Sequence, residues 1–174
     1  MTKLSFLKTV PTLAITLIVT LATSVCAMEV LPSKAAEPKD NTMSAAKVEL
    51  GKQLYFDKRL SKDNTVSCNS CHNVLGASPS GTDNKPVSEG VGSQKGGRNS
   101  PTVLNAALMS VQFWDGRAAS LEDQAKGPIT NPVEMAMSNH DVVVEKVANI
   151  IGYTKQFKAI FHGDKPVSIA NIAK

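Results

Sequence analysis

Cysteine is scarce. The 174-residue chain holds three, Cys26, Cys68 and Cys71, which excludes a disulfide scaffold. Aromatic residues make up only 5%, thin for a core of this size. A large bound apolar cofactor would account for the shortfall, and so would a core of Leu, Ile, Val and Ala. No cluster of Lys and Arg occurs, so the formal net charge of +4 does not mark a nucleic-acid binder. No strand-like alternation competes with the helical patterns, and there is no internal repeat. What is present, 42% apolar and 20% charged residues, excludes a disordered chain and a multi-span membrane protein. The length suits one domain, or one and a fraction.

Lys3 and Lys8 open the chain without an acid, and residues 13–22 read LAITLIVTLA. This apolar stretch is well short of the about 18 residues that a spanning helix needs. Val25-Cys26-Ala27 then offers small or slim side chains to a signal peptidase. Residues 1–27 therefore read as a secretory signal peptide and the expected location is periplasmic. An uncleaved anchor and a lipoprotein site at Cys26 are the weaker alternatives. Cleavage after Ala27 removes Lys3 and Lys8 and no acid, taking the net charge from +4 to +2.

Residues 28–43, with two prolines, Pro32 and Pro38, read as a flexible N-terminal segment. Ser44 caps an expected helix over AAKVELGKQLYF, with Val48, Leu50, Leu54 and Tyr55 on one side. Of the 26 residues 76–101, 14 are Gly, Pro or Ser; this is read as an ordered loop wrapped over something. Helices are expected again over PTVLNAAL (101–108), after Ser120, and after Asn139 or Asp141, where Val143, Val147, Ile150 and Ile151 lead to a stop at Gly152. Tyr153, Phe157, Ile160 and Phe161 repeat the helical spacing, and residues 167–174 begin one more helix. The fold class is all-α with long irregular loops.

Cys68-Asn69-Ser70-Cys71-His72 is the one strong chemical signal. C-x-x-C-H is the attachment pattern of c-type haem. Two thiols three apart on one helical turn reach the two porphyrin vinyl groups, and the adjacent imidazole points at the iron. A thioredoxin-like pair would need a βαβ pattern around it. A zinc site would need a second ligand pair, and only His140 and His162 remain, without suitable spacing. The sixth iron position decides between an electron carrier and an open reactive site. Met109, Met135, Met137, His140 and His162 are its candidates, and the residues alone leave it undecided.

Five blocks in order are similar to the bacterial dihaem cytochrome c peroxidases and their MauG-type relatives: LGKQLYFD from Leu50, the haem motif, NSPTVLN from Asn99, FWDGR from Phe113 and NPVEM from Asn131. The resemblance runs from about Ser44 to the end. It implies a cytochrome c-like peroxidatic haem domain over 44–165 and the start of a second such domain at 166–174, in a chain that then reads as truncated. By matching position, Cys68 and Cys71 would hold haem c and His72 would be the proximal iron ligand. Glu134 and Gln124 would line the distal pocket, Glu134 as base and Gln124 as donor. Trp114 would lie between two haems, and Asn99 would be one ligand of a calcium ion. Without the resemblance these read as a loop acid, a helix-face amide and a surface aromatic. The implied activity is reduction of hydrogen peroxide with electrons from a small cytochrome c or cupredoxin, with a homodimer as the implied assembly. A monohaem electron-transfer protein and an inactive haem-binding fragment are the alternatives. Many members carry a capping His in the long loop. Val91 stands at that place and cannot ligate, so the iron is expected to be open from the start.

Overall fold

The computed structural model describes residues 30–76 and 79–174; the expected signal peptide lies outside them. Helix α1, Ala45–Phe56, begins at Ser44, which is extended and whose side-chain oxygen accepts the Lys47 N–H. Leu50 and Leu54, four apart on one face, are buried. Val48 was expected on that face but is exposed. It lies two positions from Leu50, about 200° around a helix of 3.6 residues per turn. Tyr55 is half-buried and turns its hydroxyl onto the His72 carbonyl.

A single turn, Lys58–Leu60, is capped by the Asp57 carboxylate. It delivers Ser61, fully buried, whose hydroxyl donates to the Lys58 carbonyl and accepts the Val66 N–H. Helix α2, Cys68–Cys71, follows. From there to residue 120 the described chain contains two short turns, Val91–Ser93 and Ala106–Leu108, and two isolated antiparallel bridges, Glu89 to Lys95 and Gln112 to Ala118. The helix expected over 101–108 does not form. The Thr102 hydroxyl bonds the Ser80 carbonyl and the Leu104 N–H, the Val103 N–H goes to Gly81, and Asn105 takes a left-handed φ of 60°. Local side-chain bonding of this kind outcompetes a helix that has little apolar face to bury.

Helix α3, Leu121–Thr130, is capped by Ser120, and α4, His140–Ala148, by Asn139. Helix α5 is Ile151–Ile160, and α6, Ile169–Ala173, is capped by Ser168. The break between α4 and α5 falls at Asn149 and Ile150, not at Gly152, which is helical. The Ile150 N–H goes to the Val147 carbonyl and the Thr154 hydroxyl to Ala148, so side-chain capping makes the stop without glycine. Ile151, expected on the apolar stripe, is exposed as a result.

The core joins Leu50, Leu54, Val143, Val147, Tyr153 and Phe157 with Ile129, Met135 and Met137. Helix α5 packs on α1 and α4, and α6 on α3 and α4. Phe157 is fully buried and stacks on Phe161 with ring centroids 5.7 Å apart; burial of one such side chain contributes about 1.5–3 kcal/mol. The segment read as flexible is held at its end. Asn41 is buried, its amide donating to Glu122 Oε1 at 2.6 Å, and Lys174 Nζ donates to the Asp40 carbonyl. A single buried amide leaves no mark on composition, which is why the proline-rich sequence suggested a tail.

Candidate functional site

Helix α2 is one turn long and owes its shape to local bonds. The Ser67 N–H donates to Ser70 Oγ at 3.0 Å, and the His72 N–H closes on the Cys68 carbonyl at 2.9 Å. Both cysteines are free and part-buried. Burial pushes the Cys68 thiol up to about 11, and burial also raises Cys71, with Asp83 and Glu134 adding to it. The two sulfurs are therefore held as neutral thiols.

His72 leaves the helix at φ −117° and ψ 67°. Its Nδ1 lies 3.0 Å from the Pro101 carbonyl oxygen. A carbonyl only accepts, so Nδ1 carries the proton and Nε2 keeps its lone pair free. Ser100, the residue before Pro101, is buried. Its hydroxyl donates to the Cys71 carbonyl at 2.7 Å and lies 2.8 Å from Thr82 Oγ1. Residue 100 precedes a proline, which restricts it to extended backbone; that is the sequence signal that could have found it.

Glu134 sits in the turn after α3, half-buried. Asn131 Nδ2 donates to its Oε1 at 2.6 Å. Burial raises its carboxyl above the ordinary range, while the Asn131 amide and Arg117 pull the other way. Its turn meets the haem motif through the long loop, where Cys71 Sγ lies 3.8 Å from the Glu89 carbonyl oxygen. Arg117 lies over the Phe113 ring at 3.5 Å and pairs with Asp115 at 2.8 Å. The backbone of the long loop closes on the same turn: the Val91 N–H donates to the Glu134 carbonyl at 2.8 Å. A methyl group at Gly90 would lie 2.2 Å from the Val133 oxygen, so only glycine permits this approach. Sequence reading missed Gly90, because nothing local distinguishes it from the other loop glycines.

The remaining expected residues are spread around this centre. Gln124 is half-buried on α3. Trp114 is 60% exposed, and its indole N–H donates to the Asn99 carbonyl at 3.0 Å; these two meet each other. Among the described residues no group of three or more His, Cys, Asp or Glu could hold a metal. Met135, Met137 and Val91 are buried in the core, Met109 is 66% exposed, and His162 is exposed. His140 Nε2 lies 3.0 Å from the Lys126 carbonyl.

The di-haem cytochrome c peroxidase family matches this chain over residues 45–174. The chain belongs to that family. It is 47% identical over 144 residues to cytochrome c551 peroxidase of Pseudomonas aeruginosa, covering 82% of this chain and 40% of the relative. It is 42% identical over 142 residues to methylamine utilization protein MauG of Methylorubrum extorquens, covering 81% and 39%. The crystal structure of a MauG-like protein associated with microbial copper homeostasis superposes with a TM-score of 0.72 at 30% identity, over 85% of this chain and 44% of the other. The chain therefore spans about two-fifths of the length of the curated relatives it matches. The helical architecture is that of an all-α, cytochrome c-like fold.

Membership of the di-haem peroxidase family implies haem, and the residues fit it. Two free thiols sit three positions apart on one turn. The next residue is an imidazole whose Nδ1 is already tied, leaving Nε2 to ligate. The tyrosine closing on this turn, Tyr55, has its phenol raised by burial, so it stays a neutral donor to the His72 carbonyl.

Proposed function

We propose that this chain forms the haem centre of an exported peroxidase that reduces hydrogen peroxide to water with electrons from a small cytochrome c or cupredoxin. The observation that carries the reading is Glu134, a half-buried carboxyl held by Asn131 on a turn against which the loop following Cys71 closes. In this reading residues 1–27 direct export to the periplasm, 44–165 form the haem domain, and 166–174 open a second one. Cys68 and Cys71 hold haem c by thioether bonds and His72 Nε2 ligates the iron.

The haem, when bound, supplies the iron at which the O–O bond is reduced. The chain's own groups handle the protons. Glu134 accepts the proton of the nearer peroxide oxygen and returns it to the farther one, which leaves as water. Gln124 steadies the departing oxygen by hydrogen bonding. Two electrons from the donor and two protons complete the conversion of one peroxide to two waters, with Trp114 as a relay for the electrons. Calcium at Asn99 is part of the same reading and draws its other ligands from the second domain.

The electron-carrier reading needs a sixth protein ligand. Met135 and Met137 are packed in the core and His140 is engaged by the Lys126 carbonyl, which leaves Met109 and His162, both exposed, as the candidates for that ligand. With valine at 91, the oxidised iron is accessible without prior reduction of another centre. The test begins with export alongside haem-attachment machinery. The denatured chain should carry the mass of haem and lose it when Cys68 and Cys71 are both alanine. The ferric spectrum should be high-spin. Glu134→Gln should slow the reaction with peroxide by about 10²-fold or more; unchanged kinetics would remove Glu134 from the mechanism. A low-spin ferric wild type would favour the carrier instead.

A further inference from the structure

Three consecutive residues carry three separate ties. The Asn99 carbonyl accepts from Trp114 Nε1 at 3.0 Å. The Ser100 hydroxyl, on a residue only 8% exposed, donates to the Cys71 carbonyl at 2.7 Å. The Pro101 carbonyl accepts from His72 Nδ1 at 3.0 Å. The tripeptide is stiff, because the proline ring fixes its own φ and confines the residue before it. The residue on its other side is also fastened: Arg98 pairs with Asp115, the neighbour of Trp114, at 3.2 Å. One end of this strap therefore lies at the molecular surface and the other on the imidazole.

The hydrogen bond at Nδ1 sets the orientation of the ring and the basicity of Nε2. A firmer Nδ1–H···O=C bond makes His72 a stronger electron donor and favours the oxidised iron. A looser one does the reverse. Movement of the Pro101 oxygen by a few tenths of an ångström is enough to weaken it.

We infer that Trp114 is a positioning residue for the iron ligand: its indole N–H anchors the strap Asn99-Ser100-Pro101 and so holds the Pro101 carbonyl on His72. This rests on the reading of His72 as the proximal ligand, but it concerns a different atom of Trp114 from any electron relay through the ring.

The test uses the haem-loaded protein in its ferrous, carbon monoxide-bound form, which is diamagnetic. Trp114→Phe keeps an aromatic ring and removes only the donor. Hydrogen exchange at His72 Nδ1 should become about five- to tenfold faster, the equivalent of one hydrogen bond lost from the strap. The reduction potential, measured without carbon monoxide, should move upward. Ser100→Ala cuts the middle of the strap and should change both readouts in the same direction. A Trp114→Phe protein with unchanged exchange and potential overturns the inference, whether or not Ser100→Ala responds or folds. A wild type whose haem is not ligated by His72 overturns the functional reading as well, and the ferrous iron–histidine vibration shows this first. Faster exchange with a raised potential in Trp114→Phe supports the strap.

Discussion

The helical layer of α1, α4 and α5 and the loop region 79–118 are held together by different forces. The first closes on apolar side chains at helical spacing, with Val143, Val147 and Phe157 fully buried. The second has Val91 and Ala118 as its buried apolar residues. It is otherwise fixed by hydroxyl, amide and carbonyl ties such as those of Thr82, Ser100, Thr102 and Gln112. It also accepts left-handed backbone at Asn84, Ser93, Asn105 and Phe113, each at a conformational cost outside glycine. Burial supplies stability, whereas the polar ties supply position, and the Pro101 carbonyl that meets the His72 ring comes from the second region. Phe157→Ala strikes the first kind of force at its centre. It should destabilise the haem-loaded protein by about 3–5 kcal/mol, read from denaturant unfolding; a loss below about 1 kcal/mol would mean that the α1–α5 contact is not the core.

Two loop glycines sharpen the contrast on a smaller scale. Gly90 has an ordinary φ of −104° but no room, since an added Cβ would meet the Val133 and Glu134 oxygens at 2.2 and 2.5 Å. Gly92 has room but a φ of +65°. Gly90→Ala must push the loop off the Glu134 turn, at about 1–3 kcal/mol, and should also slow the peroxide reaction because Glu134 moves with its backbone. Gly92→Ala should cost about 1–2 kcal/mol of backbone strain and leave peroxide kinetics alone. Equal kinetic effects from the two would show that the loop does not set the position of Glu134.

This division also explains what could be read from the residues in order. The helices came from periodicity and caps: Ser44, Ser120 and Asn139 each accept the N–H expected of them. The haem motif was legible because its chemistry is compressed into five residues. The loop region was not. The helix expected over 101–108 gave way to Thr102 and Asn105, whose partners lie about 20 residues away or in their own backbone. Ser100, Gly90 and the Pro101 carbonyl shape the site through long-range bonds that no local pattern encodes. The assignments of Glu134, Gln124, Trp114 and Asn99 came from resemblance alone, since a loop acid or an exposed indole has no periodicity to betray it.

The smallest effect is expected at the outer rim of the loop region, at Asp115. Its carboxylate is hydrogen-bonded by Arg117, and by Arg98 from the far side of the loop, and is held down at about 2 against an ordinary value of 3.8. A carboxyl depressed in the folded state adds stability above its ordinary value, and that contribution is lost as pH falls through its folded value. The window is therefore from about pH 4 down to about pH 2. Because the cluster is exposed, global stability should scarcely respond. The response belongs to the local geometry. Carboxyl-carbon NMR should show Asp115 titrating near 2, with the Trp114 indole and Asn99 signals following it and the Val143 and Phe157 signals still. Arg117→Gln should raise the midpoint more than Arg98→Gln, since Arg117 is the stronger partner. A midpoint at the ordinary carboxylate value would mean that neither arginine holds the rim in solution, and Asn99-Ser100-Pro101 would then be tied by Trp114, Cys71 and His72.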